Sequence, residues 1–349
     1  MNTPIALPKP PHLPGTTWRA ASIADAPALY RFQLAIDAAD DRHWAGTLVE
    51  TEMMFSDPDS HPPTDTLLAV TGDGEIIASA WAFTPRLAET EWRSFLRGNV
   101  HPQYRRRGLG SFILGWLEVR GRQILAERPG DKPRLLRTYC QDSEHDRKAL
   151  FDQHGFQSIR YFFEMTRDLS QPIAPAILPD GLSFQPWSSA FDEDGFDAFN
   201  DAFRDHWGYE PLSPENWNMW FVGNESFRRD LSYMALDVDQ VIGLSRNVVE
   251  PETNARSGRN EGWIGNLAVR RPWRKRGVAT ALLNHSMRAF AAAGLSYATL
   301  GVDTENPTGA LGVYERVGFT PRKRTIAYGK YMDGVTPATA GEDSVAVLT

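Results

Sequence analysis

At 349 residues, with 42% apolar residues and eleven tryptophans, the chain can bury two cores of ordinary size, which excludes wholesale disorder. The formal charge of −7 argues against a dedicated nucleic-acid binder, and a single cysteine, Cys140, excludes an internal disulfide and a cysteine-based zinc cluster. No run of 18 apolar residues could span a bilayer, and the opening MNTPIALPKPPHLPG lacks the apolar core of a secretory signal, so the expectation is a cytoplasmic protein with no membrane or nucleic-acid partner.

The first fifteen residues carry five prolines and read as an extended arm, 1–16. A short strand, WRAAS, leads to the helical stretch APALYRFQLAIDAADDRHW. Strands TLLAVTG and EIIASAWAF follow, with a GDG turn between them. The next strand, FLRGNV, runs into QYRRRGLGSFILGWL, where cations crowd the start of an apolar helix. Strand RLLRTYC, a helix ending at Gly155-Phe156 and strand YFFEMTR complete the set. Residues 170–181 are proline-rich and end in Asp-Gly, which suits a linker. The same order then recurs: LSFQPW, FDAFNDAFRDHW, LSYMALDVD, QVIGLSRNVV, WIGNLAV, the turn RRPWRKRGVATALL, YATLGVD, a helix ending at Gly318-Phe319, and TIAYGKYM. Residues 336–349 read as a loose tail.

Spacing shows that this recurrence is a duplication. His43-Trp44 and His206-Trp207 are 163 positions apart, as are Gly155-Phe156 and Gly318-Phe319. The two turn glycines, Gly108 and Gly277, are 169 apart, which a six-residue insertion explains. The chain therefore reads as two halves, 17–169 and 182–335, each of mixed α/β order.

A helix start presents unpaired N–H groups and partial positive charge, so it accepts anions, and glycine lets a phosphate approach the backbone. No G-x-x-x-x-G-K-[ST] loop occurs, and neither turn has the three glycines of a dinucleotide fold. The turns VHPQYRRRGLG (100–110) and VRRPWRKRGVA (269–279), each after a strand ending in Val, together with NPTGALGVYERVGF (306–319), resemble the GNAT superfamily of acyl-CoA N-acyltransferases. Tandem copies are similar to the mycothiol synthase-like double-domain acetyltransferases.

The resemblance implies two GNAT-like domains, each a mostly antiparallel mixed sheet flanked by helices, with acetyl-CoA or another acyl-CoA as co-substrate and no metal. It implies that the second turn, through Arg274, Lys275, Arg276, Gly277, Val278 and Ala279, holds the pyrophosphate. Leu267 and Val269 would bind pantetheine through their backbones on a strand that splays from its neighbour, and Asn306 would contact it. Arg105, Gly108 and Gly110 are the counterparts in the first half. Tyr314 matches the acid that protonates the departing thiolate, a role suited to a phenol; its alternative is an ordinary aromatic of an amphipathic helix. Asn306 followed by Pro307 also suits a helix cap.

At the tyrosine position the first half has Phe151, and at the asparagine position Ser143, so catalysis is expected in the second half, with Tyr139 or His145 as possible substitutes in the first. Glu261, placed beside Trp263 and Val269 by two-residue alternation, is the candidate base; a solvent-exposed charge at a strand entrance is the alternative. A backbone N–H near Leu267 or Ala268 would hold the oxyanion. Asp205, His206, Trp207, Tyr209 and Glu210 are candidate acceptor contacts, with a packing unit shared by the halves as the alternative for His206-Trp207. The function expected is transfer of an acetyl or small acyl group to a small-molecule amine, by a monomeric pseudo-dimer or a homodimer. The alternative is a coenzyme A-binding sensor or scaffold without turnover.

Overall fold

The computed structural model describes residues 6–42, 46–306 and 309–332. His43-Trp44, Pro307 and the expected tail 336–349 lie outside the described residues. The first half runs β1 (Thr16–Arg19), α1 (Ala26–Asp40), α2 (Leu48–Ser56), α3 (Pro62–Asp65), β2 (Thr66–Thr71), β3 (Ile76–Phe83), β4 (Trp92–Val100), α4 (Leu109–Ala126), β5 (Arg134–Gln141), α5 (His145–Gln153) and β6 (Gln157–Asp168). The second runs β7 (Leu182–Pro186), α6 (Asp192–Phe203), α7 (Pro214–Asn216), β8 (Tyr233–Asp237), β9 (Gln240–Val248), α8 (Pro251–Ser257), β10 (Glu261–Val269), α9 (Val278–Ala292), β11 (Tyr297–Asp303), α10 (Ala310–Arg316) and β12 (Thr320–Tyr331). Every strand expected from the sequence is present. Among the described residues no helix is long and apolar enough to cross a membrane, and no cluster of three or more His, Cys, Asp or Glu could hold a metal.

The strands form one twelve-stranded sheet, ordered β1-β2-β3-β4-β5-β12-β6-β11-β10-β9-β8-β7. β2 and β3 are nearly continuous runs of buried residues because the sheet is covered on both faces. The helix after each basic turn lies close on its sheet. A Cβ at Gly98 would come within 2.8 Å of Ile113 and Leu117, and one at Gly262 within 2.8 Å of Phe290, so both strands need glycine beneath the helix.

The centre of the sheet is an exchange. β12, from the end of the chain, lies between β5 and β6 of the first half, and β6 pairs with β11 of the second half. Each half thus completes its sheet with the other's last strand. Residues 170–181, which hold neither helix nor strand, carry the chain from β6 to β7.

Two parallel pairings decide where ligands can enter. β10 pairs with β11 only over Glu261–Trp263, and β4 with β5 only over Trp92–Phe95. Beyond those residues the strands diverge, so each half opens a slot in its own sheet just before the basic turn.

Candidate active site

In the second half, β10 keeps its antiparallel pairing with β9 through Val269 while its other edge is left without a strand partner after Trp263. Leu267 and Val269 lie on this free stretch, as expected. The turn that follows holds Lys275 at φ 59° and Gly277 at φ 90°, two left-handed residues that fold the backbone into a concave row before α9. A Cβ at Gly277 would meet nothing within 4 Å, so glycine is favoured there by its torsion angle and not by crowding.

The turn's cations divide into two groups. Arg274 is structural: Nε donates to the Val269 carbonyl (3.0 Å), Nη1 to Asp205 (2.5 Å) and Nη2 to the Ala202 carbonyl (2.6 Å). Asp205 also pairs with Arg271, and these two guanidiniums hold its carboxyl below the usual range. Lys275 and Arg276 are exposed and form no ion pair among the described residues.

Slot and turn open into a cleft of about 1070 Å³, lined by Leu267, Val269, Arg274, Lys275, Gly277, Ala279, Asn306 and Tyr314 among others. Val278 is buried beneath it. The cleft lining mixes apolar residues such as Leu267, Val269 and Val313 with the cations Arg271, Arg274 and Lys275 of the turn. Tyr314 is 9% exposed, and burial alone pushes its pKa up to about 12, so its hydroxyl keeps its proton at neutral pH. Helix α10 starts at Ala310 after Gly309, so Asn306 lies in the loop before the helix.

Four other expected residues are placed differently. Glu261 is 3% exposed, accepts from Arg259 (2.8 Å) and Thr299 (3.0 Å), and does not line the cleft. The reason is a bulge: the β9–β10 register shifts between Ile264 and Asn266, which breaks strict alternation. Val269 therefore shares the α9 face with Gly262 and Ile264, and Glu261 faces the other way. Asp205 does line the cleft, but as the brace of the turn arginines. The Tyr209 hydroxyl donates to Asn200 within the second half, and Glu210 pairs with buried Arg93 of the first half, so Glu210 joins the contact between halves. The cleft instead brings in His206, whose ring stacks on Phe203 and whose pKa is lowered by burial and by Arg274.

The first half repeats the frame. Arg106 (φ 62°) and Gly108 (φ 79°) form the same turn, and Arg105 Nε donates to Val100 as Arg274 does to Val269. A cleft of about 910 Å³, lined by Arg105, Gly108 and Gly110, follows. Its strand edge, however, is taken. Arg147 donates to the Gly98 carbonyl (3.1 Å) and to Asn99 Oδ1 (2.7 Å), and Gly98 is the counterpart of Leu267. Arg147 and Arg42 share Glu144, and Asp40 pairs with both Arg42 and Arg105, so a chain of charges spans the slot. The equivalent of Arg147 in the second half is Ala310. Phe151 stands at the position of Tyr314: the amide of Phe156 caps Phe151 as that of Phe319 caps Tyr314, both at 3.0 Å.

Comparison with known proteins bears on the fold and the family. Residues 193–319 match the Acetyltransferase (GNAT) family. The mycothiol acetyltransferase of Salinispora tropica is 28% identical over 331 residues, covering 88% of this chain and 93% of that one. Among solved structures, a GCN5-related N-acetyltransferase from Sphaerobacter thermophilus is 27% identical, with a TM-score of 0.67 over 93% of this chain and 97% of that one. A tandem GNAT protein from the clavulanic acid biosynthesis pathway shares the fold at 15% identity, with a TM-score of 0.64 over 90% of this chain and 98% of that one.

Proposed function

The chain belongs to the GNAT superfamily of acyl-CoA-dependent N-acyltransferases, as two tandem copies in one polypeptide, and we propose that its second half moves an acetyl group from acetyl-CoA to the amine of a small molecule. The observation that carries this is the opening of β10 from β11 beside a left-handed basic turn, with Tyr314 in the same cleft. The name of the relatives, mycothiol acetyltransferase, supports a small-molecule acceptor.

Bound acetyl-CoA supplies the activated thioester. Lys275, Arg276 and the turn amides hold its phosphates, and the free edge of β10 at Leu267 and Val269 lines up its pantetheine arm. His206, neutral at physiological pH because burial and Arg274 disfavour its cation, takes the proton that an ammonium must lose before it can attack. Tyr314 gives its proton to the departing sulfur. Burial disfavours phenolate, so the proton is retained until the thiolate appears.

The first half serves as partner and not as a second catalyst, a reading supported by Phe151 in place of the acid and Arg147 on the strand edge. Free thiol released from acetyl-CoA, measured against a panel of primary amines, tests the proposal. Release above the amine-free rate supports it; tight acetyl-CoA binding with no release for any amine sinks it in favour of a sensor.

A further inference from the structure

Taking a proton from an attacking amine and giving one to a departing thiolate requires base and acid to be held in one geometry. In the second half they stand on separate segments. Tyr314 is on α10, which the chain reaches through residues 303–306 at the end of β11, and His206 is in the loop after α6. One side chain of the first half touches both segments. Arg160, on β6, is half-buried and makes four hydrogen bonds to residues 303–306. Its Nε donates to Asp303 Oδ1 (2.8 Å), Nη2 to Asp303 Oδ2 and to the Glu305 carbonyl (both 2.9 Å), and Nη1 to the Glu305 carboxylate (2.9 Å). The same guanidinium lies 5.3 Å from the centre of the Trp207 ring, next in sequence to His206. Phe162, two residues along β6, meets that ring at 6.2 Å.

The fold does not require this clamp. The backbone joint at the end of β11 is already made by the Thr304 amide, which donates to the Tyr161 carbonyl at 3.0 Å. The first half builds the same joint, with the Asp142 amide on the Arg324 carbonyl at 2.8 Å. There the position of Arg160 is held by Lys323, 163 residues on and in the matching register, and its ammonium pairs instead with Asp41. A single ammonium does not reproduce the planar fork with which a guanidinium bridges a carboxylate and a neighbouring carbonyl. The clamp is thus present in the half that has Tyr314 and absent from the half that has Phe151.

Asp303 also bears on the base. Among the described residues, the charged groups that act on His206 are Arg274 of the basic turn, Asp303 of β11 and Asp205 of its own loop, the last already paired with Arg271 and Arg274. Asp303 favours the imidazolium, while burial and Arg274 oppose it. Pairing with Arg160 offsets the charge of Asp303 and so weakens its pull on the ring. We infer that Arg160 is a positioning residue for acyl transfer in the second half: from the first half it fixes the segment leading to Tyr314 relative to the loop carrying His206, and it balances the charge of Asp303. The inference rests on the acyltransferase reading. It gives the first half a part in turnover without giving it a second active site.

The test uses the full chain and two readouts: amine-dependent thiol release from acetyl-CoA with the primary-amine panel, and an NMR titration of the His206 ring, its signal identified by loss in His206→Asn. Arg160→Gln should lower kcat roughly 10- to 100-fold, the scale of a small misplacement of reacting groups, while calorimetric affinity for acetyl-CoA changes far less. The titration separates this role from mere loss of an ion pair, because the two partners push in opposite directions. Arg160→Gln leaves Asp303 unpaired and should raise the His206 midpoint, whereas Asp303→Asn should lower it. The double variant, which leaves neither charge behind, should regain Tm over Arg160→Gln but not kcat. Wild-type kcat in Arg160→Gln, full kcat in the double variant, or midpoints that move together or not at all overturn the inference. Absence of amine-dependent release from the wild type overturns the acyltransferase reading and this inference with it; release that is insensitive to Arg160 overturns the inference alone.

Discussion

In the proposed mechanism Tyr314 and His206 carry the proton traffic, and their environments set opposite biases. Burial raises Tyr314 to about 12, so it remains a proton donor across the working range, and Tyr314→Phe should lower kcat by about 10²- to 10⁴-fold with acetyl-CoA affinity unchanged. An equal loss of cofactor binding would make Tyr314 a packing residue instead. His206 is shifted the other way, below 6.5. The rate should therefore fall with acid through a midpoint below that value, and no alkaline limb should appear until near the tyrosine's range. Stability follows the same sign: the unfolded chain protonates His206 more readily than the folded one, so its contribution is full above about 6.5 and is lost as pH falls further. His206→Asn should remove the acid limb, which a pH–rate profile of kcat would reveal. At Gly277 the φ of 90° makes Gly277→Ala cost roughly 1–2 kcal/mol of local strain, read as a lower Tm and weaker acetyl-CoA binding.

At the scale of elements, slot and turn act together, and the first half shows what happens when one is blocked. Its turn has the same left-handed pair, but Arg147 occupies the backbone edge that β10 leaves free. Arg147→Ala, which installs the residue found in the second half, should raise acetyl-CoA stoichiometry from one towards two by calorimetry; unchanged stoichiometry would mean that the Arg42–Glu144 pair alone suffices to close the slot. This is also where sequence reading reached its limit. Strands, basic turns, Tyr314 and Phe151 were legible because periodicity, glycine chemistry and the duplication mark them locally. Glu261 was misplaced as a base because alternation holds only until a bulge, and Gly265, a glycine inside a strand of the kind that marks such a break, was read as ordinary strand. Arg147 was invisible for a different reason: whether an arginine faces solvent or crosses a slot is decided by how far β4 and β5 part, a tertiary property.

For the molecule as a whole, the exchange of last strands makes the halves inseparable. Without β12, β5 would present a bare edge, and without β6, so would β11. Half-buried ion pairs cross the boundary as well, such as Arg93 with Glu210 and Arg160 with Asp303. Thermal unfolding should accordingly show one transition, and fragments 1–170 and 171–349 should each be unfolded alone yet regain structure when mixed; two independent transitions would contradict the exchange. The duplication foretold two similar halves but not this, since sequence order does not say which neighbour a final strand will choose. The central claim is that one polypeptide built from two copies keeps a single working acyl-CoA site. It is tested most directly by titrating acetyl-CoA into wild type, Gly108→Glu and Gly277→Glu in a calorimeter. The account predicts one site, abolished by Gly277→Glu and untouched by Gly108→Glu. Two sites in the wild type, or a single site lost on changing Gly108, would contradict it.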